Sequence, residues 1–179
     1  MLHKPECSTL VLVDIQNKLL PHIFEGQRVL TQIMRLANIA RLLDVPVLGT
    51  EQNPQGLGQS VAQVRQICDS SNGTLEKVHF DACRDGLVQA IDRQRTQLIV
   101  TGCEAHVCVF QTCVGLLEQG FDVTLVTDAI GSRDPANVEL AMRRSVSLGV
   151  TLASVEMLAF EWLRSSDHPQ FRNVLGLIR

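Results

Sequence analysis

Six short runs rich in Val, Leu and Thr recur along this chain, at 9–13, 45–50, 75–79, 96–101, 121–127 and 150–155, with a helix-length segment between neighbours. No other feature constrains the fold as tightly. Several of these runs are apolar on both faces, as strands are when helices cover both sides of their sheet. In 27–43, Val29, Ile33, Leu36, Ala37, Ala40 and Leu43 repeat at helical spacing. In 135–148, Val138, Ala141, Met142, Ser145 and Leu148 do the same. Shorter helices are expected near 59–68, 84–94, 107–119 and 156–164. Strands alternating with helices from end to end predict a parallel, doubly wound α/β sheet with right-handed crossovers. Residues 1–179 read as one domain, with 165–179, around His168-Pro169, as a short C-terminal extension.

Composition narrows the function classes. The chain is 45% apolar, enough for a sizeable core, and its net charge is −3 with no Lys/Arg cluster beyond Arg143-Arg144. No nucleic-acid partner is expected. No apolar stretch approaches the ~20 residues that span a bilayer, so no membrane role is expected. A first strand beginning near Thr9 leaves no room for a signal peptide, and a cytoplasmic location follows as the expectation. The six cysteines, at 7, 68, 83, 103, 108 and 113, form no CxxC pair and read as reduced thiols rather than a disulfide framework. Gly56-x-Gly58 is too short to be a dinucleotide fingerprint, and the five His residues show no metal-ligand spacing. Neither cofactor nor metal is expected.

Ligands bind beyond the carboxyl ends of strands in such sheets. Asp14, Glu51, Lys77, Gly102 and Asp128 all fall there. The segment Gly102-Cys103-Glu104-Ala105-His106-Val107-Cys108 follows a strand and leads into Phe110, Cys113, Val114 and Leu117 at helical spacing. Cys108 thus stands where a strand turns into a helix. Helix N-termini favour negative charge, so a thiol there ionises more easily and becomes a better nucleophile. A free cysteine is otherwise a small buried hydrophobe, and that reading stands beside the first. Cys103 and Cys113 read as core. Asp14 caps the following turn or takes a thiol proton. Lys77 is an ordinary strand-end lysine or a cation that steadies both anions. Glu51-Gln52-Asn53-Pro54 is a turn or a pocket loop contributing Gln52. Asp128-Ala129-Ile130-Gly131-Ser132-Arg133 is a pocket edge or a helix entry with Ser132 or Asp134 as cap, and the helix entry is the favoured reading.

Together these residues resemble the isochorismatase-like family of cysteine hydrolases, over nearly the whole chain. Val13-Asp14-Ile15-Gln16 is similar to the motif carrying the family's catalytic Asp, Glu76-Lys77 to that carrying its Lys, and Thr101–Val109 to the nucleophile motif. Thr50–Gly58 and His168–Phe171 resemble the isochorismatase-domain-containing subgroup. The resemblance implies a three-layer α-β-α sandwich around a six-stranded parallel sheet, Rossmann-like. It implies a catalytic triad of Asp14, Lys77 and Cys108. It also implies a cis peptide just before Glu104, and an oxyanion hole formed by the Glu104 and Cys108 N–H groups. Metal-binding nicotinamidases carry an Asp and two His after the second strand. This chain has no His there, which argues against zinc and against nicotinamide as substrate.

The expected function is therefore hydrolysis of a small amide-like C–N bond through a thioester, in a homo-oligomer. Gln16, Gln52 and Phe80 are expected to support or wall the pocket. The competing expectation is an assembly or partner-binding protein with a vestigial site. A thiol-redox sensor is the weaker third.

Overall fold

The computed structural model describes residues 2–178. Six strands, β1 (Ser8–Val13), β2 (Val47–Gln52), β3 (Thr74–Lys77), β4 (Gln97–Cys103), β5 (Asp122–Gly131) and β6 (Thr151–Ala153), pair in the order β3-β2-β1-β4-β5-β6, every pair parallel. The helices are α1 (Gly26–Leu42), α2 (Pro54–Leu57), α3 (Ala62–Asp69), α4 (Leu87–Ala90), α5 (Phe110–Glu118), α6 (Pro135–Ser147), α7 (Val155–Leu163) and α8 (Phe171–Ile178). Every residue of β1 and β4 is buried, because both are central strands with helices on each face. Alternate side chains feed separate cores. Leu10 and Leu12 pack with Ile33 and Leu36 of α1 and Leu158 and Trp162 of α7. Val11 and Val13 pack with Leu87 of α4 and Cys113 and Leu116 of α5. The period of two in the strand thus becomes the two outer layers of the sandwich. Each fully buried Leu, Ile or Val on α1 contributes about 1.5–3 kcal/mol relative to exposure.

Boundaries move for local reasons. The second strand begins at Val47 rather than 45, after Pro46, which has no N–H to give but accepts from Leu10 N–H at 2.9 Å. The third stops at Lys77 because Asp85 Oδ2 takes the N–H groups of Val78 and His79, at 3.0 and 2.8 Å. β5 runs on to Gly131, with a register shift against β4 between Val100 and Gly102. The helix expected near 84–94 shrinks to one turn, α4. Ser154 Oγ caps α7 through Met157 N–H. Asp134 caps α6 through Ala136 N–H at 2.9 Å, while Ser132 instead meets His106 Nδ1 at 3.0 Å. The expected extension forms α8, whose Val174 is buried in the α1–α7 core. Its last residue, Arg179, lies outside the described residues, as does Met1.

Chain order places the site. β2 and β3 extend the sheet to one side of β1, and β4 to β6 extend it to the other. A crevice opens beyond the carboxyl ends where the direction reverses, between β1 and β4. There Gly102 has φ +115°, and a Cβ on it would run into the Val13 carbonyl. Only glycine lets the two strands approach so closely at that level.

Candidate active site

Asp14 is the first residue past β1 and takes a left-handed backbone, φ 52°. Its N–H donates to Thr50 O at 3.1 Å. Thr50 Oγ1 donates to Asp14 Oδ1 at 2.7 Å, and Lys77 Nζ donates to Oδ2 at 2.8 Å. Both charged side chains are fully buried. A buried ion pair persists only when its remaining lone pairs and protons are also satisfied. Lys77 meets that condition: Nζ also donates to Gln52 Oε1 at 2.7 Å and His79 O at 3.3 Å, three acceptors for three protons.

Cys108 arrives from β4. The Cys103–Glu104 peptide is cis, and the chain then makes a single wide π turn, Ala105–Val109, before α5 begins. The Val107 and Val109 N–H groups fold back onto Glu104 O at 3.1 and 3.2 Å. The Glu104 N–H has no hydrogen-bond acceptor among the described residues. Cys108 is buried, with Asp14 and Lys77 both acting on its sulfur. Burial, and after it the Asp14 charge, push the thiol up to about 12, while Lys77 pulls the other way without cancelling them. This corrects the expectation of an easily ionised thiol. Cys108 sits inside the π turn before the α-helix proper, and desolvation is the largest influence on its thiol.

Asp14, Gln52, Phe80, Glu104 and Cys108 line one cavity of about 500 Å³. Lys77 lies just behind its floor, through Asp14. The site thus gathers residues expected from four separate stretches of sequence. Gln16 does not join them. It is buried, with Nε2 donating to Gln52 O at 3.0 Å and Gly58 O at 2.6 Å, and Oε1 accepting from Gln52 N–H at 2.9 Å. It fixes the loop that carries Gln52. Glu51, also at a strand end, accepts from Ser60 N–H at 2.6 Å and faces away from the chemistry. Asp128 ties α7 to α1, accepting from Val155 N–H and Gln32 Nε2, each at 3.0 Å. Cys103 and Cys113 are fully buried core residues.

Six further residues line the cavity, Lys18, Leu19, His22, Leu57, Val107 and Arg133, and of these only Arg133 falls in a segment that also reads as a pocket edge in the sequence. Lys18 and His22 lie four and eight residues beyond Asp14, and that proximity was a signal of sorts. The sequence favours the helix-entry reading of 128–133 because β5 ends four residues beyond its apolar run, at Gly131. Arg133 N–H and Nε both donate to Glu104 Oε2, at 2.9 and 3.1 Å. Burial works against the Glu104 charge, but these bonds outweigh it and hold the carboxyl below the usual range. Among the described residues no three His, Cys, Asp or Glu side chains converge as a metal centre would require, and no helix is long and apolar enough to cross a membrane.

A family model for the isochorismatase domain matches residues 8–157, which include all of these groups. Isochorismatase domain-containing protein 2 of Rattus norvegicus is 32% identical over 179 residues, 98% of this chain and 82% of that protein. Among solved structures, the MAR1 ribonuclease from Caenorhabditis elegans superimposes with a TM-score of 0.93 at 32% identity, covering 99% of this chain and 92% of that one. YcaC from Pseudomonas aeruginosa, solved with hexane-2,5-diol and covalent acrylamide, gives a TM-score of 0.91 at 26% identity, covering 98% and 91%.

Proposed function

Because this chain belongs to the isochorismatase family, we propose that it is a cysteine hydrolase cleaving a small amide-like C–N bond with Asp14, Lys77 and Cys108. The observation that carries this reading is the meeting of a buried carboxylate–ammonium pair with a cysteine at one small-molecule cavity. A thiol held near 12 is almost wholly protonated at neutral pH, so it needs a base at the moment of attack. Asp14 is that base. It takes the Cys108 proton as sulfur bonds to the substrate carbonyl carbon, and Lys77 steadies the anions throughout. The N–H groups of Glu104 and Cys108 receive the oxyanion. The C–N bond then breaks, Asp14 returns its proton to the departing nitrogen, and a thioester remains. Water enters, gives a proton to Asp14 and attacks the same carbon. The acid leaves as the proton returns to sulfur.

The name ribonuclease belongs to the C. elegans relative. Cleavage of a ribose phosphodiester calls for an acid and a base flanking the phosphate. Here Asp14, Lys77 and Cys108 meet in one cluster that suits attack by a thiol on a carbonyl carbon, so an amide is the favoured substrate.

The test is a panel of small carboxamides, with a structured and an unstructured RNA alongside. Cys108→Ala should lower turnover by at least about a thousandfold while leaving the fold intact. Amide turnover that survives this change would remove Cys108 from the mechanism. RNA cleavage that depends on Cys108, with no amide turned over, would replace the substrate class.

A further inference from the structure

Resting on the amide-hydrolase reading, we propose that the substrate carries a carboxylate a few bonds from its amide, received at the cavity rim by Arg133 and Lys18. The floor of the cavity is balanced internally. Asp14 is paired with Lys77, and Glu104 with the Arg133 N–H and Nε. The rim is not. Glu104 grips Arg133 by its backbone and Nε, and the Nη groups have no hydrogen-bond acceptor among the described residues. The guanidinium is thus oriented yet two-thirds exposed, with its planar fork free. Such a fork matches a carboxylate with two parallel bonds.

Lys18 lines the same cavity and commits one Nζ proton to Gly56 O at 3.2 Å, leaving two. The exposed imidazole of His22 adds a further polar group. Glu104 offsets the Arg133 charge, but among the described residues lining the cavity Lys18 has no carboxylate partner, so the mouth keeps a net positive charge on a chain whose net charge is −3. The apolar part of the cavity lining is formed by Leu19, Leu57, Phe80 and Val107. A ligand that suits all three zones has an amide at Cys108, a short apolar stem, and an anion at the mouth. The stem gains from burial, and the anion is placed where the protein's own field favours it.

The test reads the field without requiring turnover. Iodoacetate and iodoacetamide alkylate a thiol by the same displacement of iodide and differ in charge. The ratio of their rates at Cys108, followed by peptide mapping, is compared with the same ratio for 2-mercaptoethanol. At low ionic strength the Cys108 ratio should exceed the reference by about fivefold. It should fall toward the reference in high salt and in the Arg133→Gln, Lys18→Met double variant. A ratio at or below the reference, or one the variant leaves unchanged, overturns the inference.

Should neither reagent reach Cys108, thermal unfolding of the Cys108→Ser protein with succinamate and with succinamide decides. A larger rise in Tm with succinamate, lost in Arg133→Gln, supports the anionic subsite. Equal rises, or none, overturn it. Hydrolysis of neutral amides with no anion preference would keep the hydrolase and lose this inference. Anion preference with no amide turned over would do the reverse.

Discussion

At the scale of single residues, the sulfur of Cys108 is governed by two neighbours of opposite sign. Burial sets its high position, Asp14 reinforces it, and Lys77 opposes it. The two charges can be separated by substitution. Asp14→Asn removes a negative charge, so the thiolate forms more readily and the pH at which Cys108 alkylates should move down by about one to two pH units. Lys77→Met removes the positive charge and should move it up. Iodoacetamide labelling across pH, with peptide mapping, reads both. Movement in the same direction in the two variants would mean that neither charge acts on sulfur as described. Hydrolysis should be lost in Asp14→Asn even though its thiol is the more reactive, because no group remains to return a proton to the leaving nitrogen.

At the scale of elements, the strands were legible because β1 and β4 are buried on both faces and so read as unbroken apolar runs. Their ends were less so, because single side chains decide them: Asp85 stops β3 and Ser154 starts α7, and neither contact is local to an apolar pattern. The strand-end chemistry was legible for the same reason as the strands. The cavity rim was not, since the direction of a loop side chain such as Arg133 depends on what packs beneath it. Gln16 shows the difference. It is expected from sequence to support or wall the pocket, and its side-chain hydrogen bonds all go to Gln52 and Gly58, at the two ends of the segment that carries α2, so it supports without walling. Gln16→Leu would leave the Gln52 N–H and C=O and the Gly58 C=O without their partner. It should cost about 2–4 kcal/mol in a denaturant titration. Hydrogen exchange should rise in 52–58 before the sheet is affected. Unchanged stability would mean that water replaces the amide without loss.

For the molecule as a whole, the buried thiols act together. Burial raises Cys68 to about 11, raises Cys108 and Cys113 to about 12, and pushes Cys83 and Cys103 higher still. In the unfolded chain each ionises near the ~8.5 of a free thiol. Above that pH the native state holds more protons than the unfolded one, so stability is full below it and is lost as pH rises. Each fully buried thiol steepens the loss by about 1.4 kcal/mol per pH unit. The guanidinium midpoint, measured under reductant from about pH 8 to 10, should fall steeply, and Cys103→Ala and Cys113→Ala should each flatten the slope. A slope indifferent to both substitutions would place the alkaline transition elsewhere. The division of labour between strands and loops has a consequence of another kind. Asp14 and Lys77 hang from strand ends whose spacing the sheet fixes, and Cys108 follows closely on a third, whereas Lys18, Leu57, Phe80 and Arg133 hang from connections that the sheet does not constrain. Descendants of such a chain could therefore trade one diet for another by rewriting a few connecting residues, while inheriting the cutting edge unaltered.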